Sequence, residues 1–139
     1  MLDKQLLDLD LIHSKLAYIL ACMSSYSFLD LSKRIIEIMD SINKIKQSLI
    51  DNKRYIDIRD AIKLRNDLKE LESKLNDDQV SLQGHKIACL LFEISTIIKI
   101  FMLEFDYDED MKEYLEIASK YLFDCGRIIN IEILCFENK

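Results

Sequence analysis

The chain contains no proline and only two glycines, Gly84 and Gly126, in 139 residues. Hairpins and strand ends rely on those residue types to reach the backbone angles of tight turns, so an all-β fold is not expected. What the chain has instead is apolar side chains recurring at alternating steps of three and four residues, the period of an amphipathic helix. With 50% of residues hydrophobic and 32% charged, it is too apolar for a disordered tail. Its length suits one hydrophobic core, and a single helical domain over residues 1–139 is expected.

Five segments carry the helical period. The first, Leu6 to Met23, puts Leu9, Ile12, Leu16, Ile19 and Met23 on one face. Ser27 with Asp30 resembles a capping box ahead of a second spine of Leu31, Ile35, Ile38, Ile42, Ile45 and Leu49. The third spine is Ala61, Leu64, Leu68, Leu71 and Leu75, on the most polar of the helices, and the Asp, Asn and Ser residues from Asn76 to Ser81 predict a turn after it. The fourth, within about residues 82–105, joins Ile87, Leu91, Ile94, Ile98, Phe101 and Phe105 and adds Leu90, Ile97 and Met102 on a second face. A helix apolar on two sides belongs at the centre. The fifth reads Met111, Leu115, Ala118, Leu122, Cys125 and Ile129. Gly126 weakens it, because glycine in a helix interior costs about 1 kcal/mol relative to alanine. The β-branched tail from Arg127 to Phe136 leaves a short strand open, with helix preferred. Short connections make consecutive helices antiparallel, so the fold expected is an all-α, four to five helix up-and-down bundle.

The N-terminus is acidic where a secretion signal needs a basic start, and the most apolar stretch, Ile87 to Leu103, is broken by Glu93 and Lys99. Neither export nor a membrane span is expected. Cys22, Cys89, Cys125 and Cys135 show no C-x-x-C spacing and read as reduced thiols of a cytoplasmic protein.

The sharpest local feature is Glu104 to Glu116, where seven acids stand against one lysine. That net of six negative charges equals the net charge of the whole chain, −6. Charge so concentrated attracts a basic partner and speeds its association. Aromatic residues anchor interfaces, so the candidate partner-binding residues are Glu104, Asp106, Tyr107, Asp108, Glu109, Asp110, Glu113, Tyr114 and Glu116, with Phe105 beside them. Asp108 and Asp110 also suit the positive start of the fifth helix. As a calcium loop beginning at Asp106 the segment fails, with Met111 where glycine is needed and Ile117 where a bidentate glutamate is needed.

No glycine-rich phosphate loop, zinc spacing or nucleophile triad appears, and no metal or cofactor is expected. His13, His85, Cys89 and Asp124 are the residues from which a scattered catalytic site would have to be assembled. Lys33 to Lys74 holds eleven basic and eight acidic residues with signs mixed along each helix, a poor groove for phosphates, so nucleic acid is not an expected partner. The function expected is non-enzymatic: a module that inhibits or regulates a basic partner protein, in the manner of an immunity protein, an antitoxin or a phage or viral inhibitor. Two alternatives stand beside it, a helical enzyme, and a self-associating module that pairs a second copy through the second and third spines.

Overall fold

The computed structural model describes residues 2–23, 29–75, 85–104 and 108–137, with side chains except at Leu29 and 132–137. These residues form five α-helices and no strand: α1 (Leu2–Met23), α2 (Leu29–Asp51), α3 (Ile58–Glu72), α4 (Lys86–Glu104) and α5 (Glu109–Glu137). Ser27, the turn Asn76–Ser81, Phe105, Asp106, Tyr107 and the side chain of Cys135 lie outside the described residues. The fold is an all-α bundle. Among the described residues, no helix is long and apolar enough to cross a membrane.

The spines form the core. Leu9, Ile12, Leu16, Ile19 and Met23 of α1, Ile35, Ile38, Ile42 and Ile45 of α2, and Ala61, Leu64 and Leu68 of α3 are all buried. Of the α2 and α3 spines, offered by the sequence as a seam for a second copy, Leu31, Leu49, Leu71 and Leu75 are half-buried. Helix α1 starts a turn earlier than its spine, and that extra turn carries Lys4, which holds Asp8 at 3.3 Å and Glu104 at 2.5 Å.

Consecutive helices alternate in direction. Lys4 against Glu104 sets α1 antiparallel to α4, and Lys46 against Asp10, 2.6 Å apart, sets α2 antiparallel to α1. Neighbours in space are not always neighbours in sequence, however. Around the bundle the order is α2, α1, α4, α5, α3, and α3 lies parallel to α5, with Arg65 on Glu113. Apolar width explains this. Helix α4 is greasy on two sides and packs between α1 and α5, whereas α3 has one narrow stripe and needs one main neighbour.

The α4–α5 contact is the most extensive, and small residues bring the two backbones together. Ser95 Oγ donates to the Ser119 carbonyl at 2.7 Å, and Gly126 sits against Ala88 and Phe92. A Cβ on Gly126 would stand 2.6 Å from the Phe92 ring and 3.1 Å from the Ala88 carbonyl oxygen. The glycine thus serves close packing, and α5 runs through it without interruption. The tail left open between strand and helix is helical to Glu137.

Candidate functional site

The N-termini of α1, α3 and α5 and the C-termini of α2 and α4 share one end of the bundle, and the described residues of the acidic run, Glu104 and 108–116, begin there. The α2–α3 loop is built into this pole. Asn52 takes a left-handed φ of 53°, and Lys53 N–H returns to the Ser48 carbonyl at 3.2 Å, a Schellman closure in which asparagine fills the usual glycine position. Tyr55 N–H then donates to Ser48 Oγ at 3.1 Å, Ile56 is buried, and Asp57 with Asp60 forms the capping box that starts α3. A loop pinned at so many points carries Arg54 across to α5.

There Asp108 caps the helix, its Oδ1 accepting the Asp110 N–H at 2.8 Å while Oδ2 accepts from Arg54. The same guanidinium stands 3.1 Å from Asp110. Burial pushes the Asp108 carboxyl up, but the Asp110 N–H, the guanidinium and the Met111 N–H outweigh it and hold the group below its ordinary value. Other members of the run are also paired within the chain. Glu104 pairs with Lys4, Glu113 with Arg65, and Glu116 with Lys120 at 3.4 Å. Glu109 is exposed in the first turn of α5. Helix α5 thus meets the pole with carboxylates at its positive end, the placement the helix dipole favours.

Tyr114 is buried. It forms the floor of a groove of about 170 Å³ between α2 and α3, with its hydroxyl hydrogen-bonded to Ser41 and burial pushing its pKa up. Three ion pairs cross the groove: Arg34 Nε to Asp67 at 3.2 Å, Lys63 to Glu37 at 3.3 Å, and Lys44 to Asp60 at 3.4 Å.

The scattered catalytic candidates occupy separate settings. His13 faces α2, with Nε2 3.4 Å from Asn43 Nδ2. His85 opens α4, its Nδ1 accepting the Ile87 N–H at 3.1 Å while its backbone N–H donates to Asn130 Oδ1 at 3.0 Å. Cys89 lies one turn further along α4, half-buried. Asp124 pairs with Arg127 at 3.5 Å on α5, where burial raises its carboxyl despite that pair. No group of three or more His, Cys, Asp and Glu that could hold a metal is found among the described residues.

What the spines did not reveal is the apolar component of the pole. Leu103 is 87% exposed and Ile58 56%, and Leu2, Ile50 and Tyr55 are exposed at the same end. The signal was present as residues out of register: Ile58 is off the Ala61–Leu64–Leu68 spine and Leu103 is off the α4 spine. Compared with protein-family models and with curated proteins, the chain matches none.

Proposed function

We propose that the chain is a non-enzymatic protein-binding module whose acidic pole docks on a partner with a basic surface and thereby inhibits or regulates it, as an immunity protein, an antitoxin or a phage or viral inhibitor does. The observation that carries this reading is the coincidence, at one end of the bundle, of exposed carboxylates with exposed large apolar side chains. Interfaces combine an apolar, desolvated centre with a polar rim, and Leu103, Ile58 and Tyr55 beside Glu104 and Glu109 supply both parts. The rim steers a basic partner, and the apolar centre slows its release.

The test is affinity capture by the full chain from its host, followed by surface plasmon resonance with the captured protein across a salt series. The expected partner is one basic protein in stoichiometric amount. Changing Glu104 and Glu109 together to glutamine slows association several-fold at low ionic strength, and the difference shrinks toward physiological salt, where the Debye length is about 8 Å. Leu103→Asp, at a position too exposed to matter for folding, raises the dissociation rate with little salt dependence. Unchanged kinetics in both variants would overturn the assignment of the pole.

A further inference from the structure

The flank formed by α1 and α4 carries a second surface, which runs away from the pole and meets it at the Lys4–Glu104 pair. Between the two helices runs a shallow cleft of about 210 Å³ floored by Ile12, Ile97 and Phe101 and lipped by Leu11 and Ile100. Leu11 is 46% exposed, Ile100 50% and Leu7 67%, with Tyr18 further along α1, so an apolar strip follows the helices. Two ion pairs cross the cleft at different heights: Lys4 to Glu104 at 2.5 Å, and Lys15 to Glu93 at 2.9 Å. Lys86 lies 6.0 Å above the Tyr18 ring at the far end.

The charge on this flank differs from that of the molecule. Lys4, Lys15 and Lys86 balance Asp8, Glu93 and Glu104, so the face is neutral on a chain of net charge −6. A strongly basic partner gains little here. Two copies of an acidic chain, which repel each other elsewhere, can approach on a neutral face.

We infer that the α1–α4 flank is the interface of a symmetric homodimer. In the two cross-cleft pairs the cation is on α1 and the anion on α4 at equal height. A two-fold axis running along the cleft lays α1 of one copy over α4 of the other with those heights preserved. Lys4 then meets Glu104 of the second copy, Lys15 meets its Glu93, and Leu11 comes level with its Ile97. Such isologous self-complementarity is what a two-fold contact demands. The area suffices as well. A face of two 10 Å helices about 30 Å long offers roughly 600 to 800 Å² per copy, the size stable interfaces bury.

This inference goes beyond the proposed function, and its experiment uses the full chain without any partner. Sedimentation equilibrium over a concentration series should show the average mass rising from one chain to two. Leu11→Asp and Ile100→Asp, both at exposed positions and checked for an unchanged circular dichroism spectrum, should each weaken the dimer about tenfold or more. Lys15→Glu and Glu93→Lys should each be monomeric alone, because each sets like charges across the two-fold, and an equal mixture of the two should dimerise. A parent chain that keeps the mass of one copy at its highest soluble concentration would overturn the inference. So would a dimer indifferent to Leu11→Asp and Ile100→Asp, or a mixture that stays as monomeric as its components.

Discussion

Gly126 is where the usual ranking of helix formers should invert. Alanine is favoured over glycine by about 1 kcal/mol in a helix interior, and α5 is helical on both sides of the position. The added methyl group would nevertheless have to fit 2.6 Å from the Phe92 ring and 3.1 Å from the Ala88 carbonyl oxygen. The ring is itself packed on Phe123, with centroids 5.0 Å apart, and the carbonyl belongs to the α4 backbone, so neither yields easily. Overpacking costs about 1 to 3 kcal/mol. Gly126→Ala is therefore expected to give no gain in stability and to lower it by up to about 2 kcal/mol in urea denaturation. A variant more stable than the parent would mean that Phe92 rotates away freely. The sequence alone makes this glycine look like a weak point in a helix, because the reason for it sits on another helix and 34 or more residues away.

Helix α5 concentrates groups that burial holds in their protonated forms. Tyr114, Tyr121 and Cys125 are all buried, burial raises each of them, and the Cys125 thiol is pushed up to about 12. For an acid whose pKa is higher in the folded chain, the folded state binds more protons than the unfolded one. The associated stability is complete below the unfolded pKa and is lost as pH rises toward the folded value. Stability should accordingly hold near neutrality and fall from about pH 9 upward, the region where unfolded thiols and then phenols ionise. Tyr121→Phe should make that fall shallower, and chemical denaturation at a series of alkaline pH values reads the slope. An unaltered slope would mean that Tyr121 ionises while folded. Much of each element was legible beforehand, because a spine is a one-dimensional pattern: Leu9 to Met23 and Met111 to Ile129 are buried as their spacing requires. The pairings of the acidic run were not. Arg54 reaches Asp108, and Arg65 reaches Glu113, only because α3 lies parallel to α5, which no local spacing encodes. Likewise Tyr114 lies among acids in sequence, yet the turn of α5 directs it inward to Ser41.

At the scale of the molecule, the ring of helices is not equally tight all the way round. Helices α4 and α5 share the most extensive contact, and α3 lies along α5 and α2 along α1, whereas α2 and α3 make few close approaches to each other and meet across the groove through three ion pairs. Ion pairs exposed to this degree contribute about 1 kcal/mol or less each. Helix α3 is also the shortest of the five, 15 residues with three buried apolar side chains. Cooperative units with little buried surface open at a lower free energy than the molecule as a whole. Native-state hydrogen exchange should thus find the amides of α3 exchanging through a sub-global opening while those of α4 wait for complete unfolding. Equal protection of the two helices would show a single cooperative unit. An opening at this seam also has a chemical readout, because it bares the floor of the groove. Tyr114, sheltered in the closed bundle, would then be nitrated or iodinated only while α3 is open, and where the reagent outruns reclosing the rate becomes that of opening, which turns one buried phenol into a clock for the motion of the helix above it.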